Sequence, residues 1–92
     1  MTIIDNAFAS QKNLKSLKLE SNKVAQISNK TFKGLQRLEV LSMRRNLLEE
    51  LPEGVFSHAP KLRELDLGRN RISKIDSAAF KGNLERAILF GL

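Results

Sequence analysis

The sequence has no cysteine, no tryptophan and no tyrosine. Without cysteine there is no disulfide to staple a small fold and no thiolate for a zinc site, and the usual evidence about redox compartment is missing. The only aromatic residues are Phe8, Phe32, Phe56, Phe80 and Phe90. Long hydrophobic runs are also absent. No stretch approaches the roughly 20 apolar residues that span a bilayer. The opening Met1-Thr2-Ile3-Ile4-Asp5 lacks the basic start and long apolar stretch of a signal peptide. One histidine is present, His58, between Ser57 and Ala59. No second histidine or cysteine is available for a nucleophile–base pair or a metal site. The glycines Gly34, Gly54, Gly68, Gly82 and Gly91 are single and scattered, so none forms a phosphate-cradling loop. Glu49, Glu50 and Glu53 cluster around Leu51-Pro52, where solvation accounts for them better than acid–base chemistry. These absences argue against an enzyme and require no cofactor or metal.

What is present fits one small domain. The 92 residues allow a modest core with a thin margin of stability. Sixteen basic and ten acidic side chains give a net charge of +6. The excess is uneven. Residues 1–37 carry Lys12, Lys15, Lys18, Lys23, Lys30, Lys33 and Arg37 against Asp5 and Glu20, a net +5. Residues 38–61 come to −1 and residues 62–92 to +2. This basic end either attracts polyanions or serves as a solvated surface that aids solubility.

An internal repeat organises the chain. Leu14-x-x-Leu17-x-Leu19-x-x-Asn22-x-Val24-x-x-Ile27 is followed by Phe32-x-x-Leu35. The string returns as Leu38, Leu41, Met43, Asn46, Leu48, Leu51, Phe56 and Ala59, and again as Leu62, Leu65, Leu67, Asn70, Ile72, Ile75 and Phe80. Asn22, Asn46 and Asn70 set the period at 24 residues. Ile3 and Phe8 occupy the places of Ile27 and Phe32. After Phe80 the pattern reads best with a one-residue slip near Asn83, so that Leu84, Ala87, Phe90 and Leu92 resume it. The layout is a partial repeat over 1–13, repeats over 14–37, 38–61 and 62–86, and the start of another over 87–92.

The alternation in L-x-x-L-x-L is that of a short strand, with Leu17 and Leu19 inward and Ser16, Lys18 and Glu20 outward. One repeat cannot bury its own leucines; stacked repeats can, with strands pairing in parallel about 4.8 Å apart. Strands are expected near 16–20, 40–44 and 64–68, with a frayed one near 88–91. The asparagines fall where the chain turns off the sheet, and their amides can satisfy backbone groups of adjacent turns. The phenylalanines, one per turn, are expected to stack as an internal spine.

The 24-residue string, with its Leu51-Pro52-x-x-x-Phe56 turn, resembles the extracellular class of leucine-rich repeats found in Toll, Slit, chaoptin and the leucine-rich-repeat immunoglobulin-like receptors. The resemblance covers nearly the whole chain. It departs at Ala59, where leucine is usual, and at the extra residue near Asn83. It implies an α/β fold: a right-handed solenoid forming a short horseshoe arc, with a parallel β-sheet on the concave face and loops or short helical turns outside.

The resemblance also implies protein recognition, in the ectodomain of a receptor or adhesion protein at the cell surface. Positions that vary between repeats form columns on the strand face: Ser16, Val40 and Glu64; Lys18, Ser42 and Asp66; Glu20, Arg44 and Gly68; Ser21, Arg45 and Arg69. Glu20 is placed to pair with Arg44, and Arg44, Arg45 and Arg69 suit bidentate contacts to a partner's carboxylates. The face lacks aromatic anchors. Asn29-Lys30-Thr31 matches the N-glycosylation pattern, which fits a secretory route. The second reading is a polyanionic, heparan-type glycan on the basic N-terminal repeat. Nucleic acid is not expected, because no stacking aromatic interleaves the basic residues, and no membrane insertion is expected of this segment. The missing caps leave Ile3, Ile4, Phe8, Ile88, Leu89, Phe90 and Leu92 open to end-to-end self-association.

Overall fold

The structure is a computed structural model describing residues 2–80 and the strand Ile88–Phe90. Six short strands follow in chain order: β1 (Ser16–Lys18), β2 (Val40–Ser42), β3 (Glu50–Leu51), β4 (Glu64–Asp66), β5 (Lys74–Ile75) and β6 (Ile88–Phe90). Strands β1, β2, β4 and β6 pair in that order, all parallel. Leu17 lies opposite Leu41, Leu41 opposite Leu65, and Leu65 opposite Leu89, so every step is 24 residues.

The strands are shorter than the repeat suggests. Ser21, Arg45 and Arg69 take left-handed φ values of 59°, 60° and 58°, which turn the chain out of the sheet. The N–H groups of Ser21 and Arg45 still donate to the carbonyls of Arg44 and Gly68 on the next turn, at 3.0 and 2.9 Å. The expected one-residue slip does not survive in β6, which keeps the 24-residue offset with Leu89, not Phe90, opposite Leu65. Ile88-Leu89-Phe90 is apolar throughout, so its hydrophobic pattern fits either register and cannot choose between them. Asn83, where the slip was placed, lies outside the described residues.

Within and between the strands the chain packs apolar rungs inward. Leu38, Leu41, Met43, Leu48, Leu51, Leu62, Leu65 and Leu67 are buried. Their counterparts Leu14, Leu17 and Leu19 are only half-buried, because β1 is an edge of the sheet with a neighbour on one side. The phenylalanines stack as the repeat requires. Ring centroids are 6.3 Å apart for Phe8–Phe32, 5.8 Å for Phe32–Phe56 and 6.0 Å for Phe56–Phe80, with interplanar angles of 7°, 21° and 13°. Phe32 and Phe56 are fully buried; Phe8 and Phe80 are partly so.

The asparagine corner is graded along the stack. Asn46 Oδ1 accepts the N–H groups of Asn22 (3.1 Å) and Val24 (2.9 Å), and its Nδ2 donates to the carbonyls of Leu19 (2.8 Å) and Met43 (2.9 Å). Asn70 repeats this one turn on, accepting from Leu48 N–H at 3.0 Å and donating to Met43 and Leu67 carbonyls at 2.9 and 3.0 Å. Asn22 is exposed, and its Nδ2 donates locally to the Glu20 carbonyl.

Two features depart from expectation. The described residues contain no helix, so the α of the expected α/β class is absent from them. The return segment is instead a series of turns, in which the N–H groups of Val55, Ser57 and Ala59 donate to the carbonyls of Pro52, Gly54 and Phe56, three residues back. An α-helix needs partners four residues back, and the left-handed φ of 62° at Gly54 interrupts the segment. The second departure is an additional parallel ladder beyond the corner: Thr2 bridges Gln26, and β3 pairs with β5. Among the described residues no bridge joins Gln26 to Glu50. Where Asp76 N–H donates to the Leu51 carbonyl at 3.0 Å, the matching residue one turn earlier is Pro52, which has no N–H.

Gly34 fixes how closely two turns approach. Its φ is 96°, and a Cβ there would lie 2.6 Å from the Ala9 carbonyl oxygen and 2.7 Å from Ala9 Cα. At Gly54 the nearest atom to such a Cβ is Ser57 Oγ at 3.5 Å. Gly34→Ala is therefore expected to lower stability by about 2 kcal/mol or more and Gly54→Ala by about 1 kcal/mol, from backbone strain alone. Urea unfolding of both variants checks the difference.

Candidate functional site

The sheet face carries the variable columns. Register places Ser16 beside Val40 and Glu64, and Lys18 beside Ser42 and Asp66. Ser16, Lys18, Glu20, Ser21, Arg45 and Arg69 are exposed, and Val40, Arg44, Glu64 and Asp66 are half-buried. Ser42 departs from the expected partner-facing set: it is 7% exposed. It sits in a depression of about 180 Å³ lined also by Lys18, Glu20, Val40, Glu64 and Asp66. A short hydroxymethyl between longer neighbours is overshadowed by them, which sequence alternation alone does not reveal.

Charge pairing on this face also differs from expectation. Arg44 pairs with Asp66 on the far side, its Nη1 3.5 Å from Oδ1, and not with Glu20. Asp66 Oδ1 is held in place by the Gly68 N–H at 2.9 Å. Gly68 also makes the room: a Cβ there would collide with the Arg44 guanidinium. Glu20, Arg44 and Gly68 share one column, and the glycine in its third place draws Arg44 across. Both partners are about a third exposed, so the pair contributes only about 0–1 kcal/mol. Arg45 and Arg69 have no ion pair among the described residues. Their shared left-handed turn places them one above the other at the rim of the sheet.

Asn29 is exposed, as a glycosylated asparagine would be. Thr31 of the same motif is fully buried, and its Oγ1 accepts the Ser28 N–H at 2.8 Å. That bond closes the turn, so Thr31 has a structural role whether or not a sugar is attached. His58 is exposed.

The basic N-terminal repeat does not form one patch. Lys12 and Lys15 precede β1, Lys18 lies on the sheet, Lys23 follows the asparagine corner, and Lys30 and Lys33 lie on the return segment. A 24-residue turn distributes them around its circumference. The sequence reading did not find another grouping: Lys15, Arg37 and Lys61 line one depression of about 310 Å³ with Glu39. Plotting the charges by position within the 24-residue turn would have found it, since Arg37 and Lys61 share one column.

Comparison with known proteins agrees with this architecture. The family model described as "Leucine rich repeat" matches residues 12–72. No curated protein matches the sequence significantly. Among solved structures, the chain resembles one in the crystal structure of the TLR13–ssRNA13 complex, with a TM-score of 0.63 and 24% identity. The match covers 95% of this chain and 16% of that one, and at this identity it speaks for the fold alone.

Proposed function

We propose, from the premise that the chain belongs to the leucine-rich-repeat family, that it is a protein-recognition module of an ectodomain. In this reading the turns form a short right-handed arc, and the four-stranded sheet is its concave, partner-binding face. Modules of this family are typically binding scaffolds, not enzymes. The observation that carries the reading is the combination of a fixed frame with variable decoration. Leu17, Leu41 and Leu65 repeat one residue type in register, while Ser16, Val40 and Glu64 beside them share the register but differ in chemistry. Arg45 and Arg69, exposed and without ion pairs among the described residues, are the anchors best suited to bind carboxylates of a partner. The expected exclusion of nucleic acid draws no support from the comparison, since the TLR13 complex contains ssRNA13.

The test is binding of the chain to an array of extracellular proteins, repeated with Arg45→Glu/Arg69→Glu. The double variant is expected to bind the captured partner at least tenfold more weakly, an effect in the range of interface anchors. Unchanged affinity would remove the site from this face. The secretory route is tested separately. Expression through a eukaryotic secretory pathway should add one glycan's mass, lost in Asn29→Gln; an unmodified secreted chain would count against it.

A further inference from the structure

The 24-residue turn sorts charge between two edges of the stack. Among the described residues, the edge leading into the strands carries Lys12, Lys15, Arg37, Lys61 and Arg63 against Glu39. About half a turn away, the edge along the second ladder carries Asp5, Glu49, Glu50, Glu53 and Asp76 against Lys74. The segmental charges of the sequence hide this separation, because each segment passes through both edges.

Among the described residues of this edge, the one carboxylate is already engaged. Glu39 Oε1 accepts Arg63 Nε at 3.0 Å. Lys15, Arg37 and Lys61, all exposed, have no ion pair among the described residues and line one notch of about 310 Å³. Adjacent parallel turns lie about 4.8 Å apart, whereas the Debye length is about 8 Å at physiological salt. Cations on successive turns therefore act together on one ligand.

We propose that this notch is a binding site for the sulfate groups of a linear sulfated polysaccharide lying across the turns. It is separate from the sheet face and from the lysines Lys18, Lys23, Lys30 and Lys33. A guanidinium and two ammonium groups present more donors than a carboxylate's two oxygens can use, and they suit the three terminal oxygens of a sulfate ester. The strand of sulfates, not a single-stranded nucleic acid, is favoured because the edge has no aromatic ring on which a base could stack. Phe8, Phe32, Phe56 and Phe80 lie in the spine instead.

The experiment measures binding of the 92-residue chain to a heparin oligosaccharide between 0.05 and about 0.3 M salt, a span over which ionic contacts weaken steeply. Arg37→Gln/Lys61→Gln is compared with Lys30→Gln/Lys33→Gln, which removes the same charge elsewhere. The first double variant is expected to weaken binding about tenfold or more and to reduce the salt slope by about two, one for each cation removed. The second should leave the slope unchanged. Equal losses in both variants would mean only net charge is sensed and would overturn the site. So would an absence of binding by the parent chain. Displacement of the oligosaccharide by single-stranded RNA at equal charge would overturn the choice of ligand. Arg45→Glu/Arg69→Glu addresses the sheet-face function independently.

Discussion

Truncating Phe56 to alanine is expected to cost about 3–5 kcal/mol, the range for a large aromatic deleted from a packed core. The ring is fully buried and stacked on both sides, against Phe32 at 5.8 Å and Phe80 at 6.0 Å. Its loss leaves a cavity in the spine and strips one stacking contact from each neighbour. Phe8→Ala removes a partly buried ring with one described ring neighbour and should cost less, about 1–2 kcal/mol. Small domains are stable by only about 5–15 kcal/mol, so the first change consumes much of the total. Urea midpoints with an unchanged m-value check both. Equal losses at positions 8 and 56 would mean that the rings do not form a spine.

The second large effect lies at the corner. Asn46→Ala is expected to cost about 3 kcal/mol, because two N–H groups and two carbonyls lose their buried partner at about 1–3 kcal/mol for each group left unsatisfied, less what water recovers. Asn46 is 3% exposed and serves the backbone of both its own turn and the one before. Asn22 occupies the same place in the repeat but makes one local, exposed bond. Asn22→Ala should stay within about 0.5 kcal/mol of the parent, as surface changes usually do. The contrast between two asparagines with one sequence signature is informative: a ladder depends on having a turn beneath it. Thermal unfolding of the two variants measures it.

That contrast marks how far the sequence could be read. The period of 24 residues placed Leu17, Leu41 and Leu65 in one column and stacked the phenylalanines, since these positions are dictated by the frame. It could not distinguish Asn22 from Asn46, because burial depends on neighbours that a motif does not count. The second ladder went unread because its column, Thr2, Gln26, Glu50 and Lys74, has no common chemistry; its bonds are backbone alone. On the sheet face, the columns were legible and the contacts within them were not. Arg44 reaches Asp66 and not Glu20 because Gly68 leaves space, and a glycine's empty volume is invisible in a charge pattern. The left-handed φ at Ser21, Arg45 and Arg69 was hidden for a similar reason, as none of the three is a glycine. The cationic edge was legible in principle but missed, because charges were counted along the chain and not around the turn.

Nuclear Overhauser contacts in the folded chain probe the stacking most directly. Backbone proximities are expected at a constant step, Leu17 to Leu41 and Leu41 to Leu65, together with ring-to-ring contacts from Phe8 through Phe32 and Phe56 to Phe80. Contacts at unrelated separations, or phenylalanine rings that meet no ring one repeat away, would contradict the idea that each turn is completed by the next.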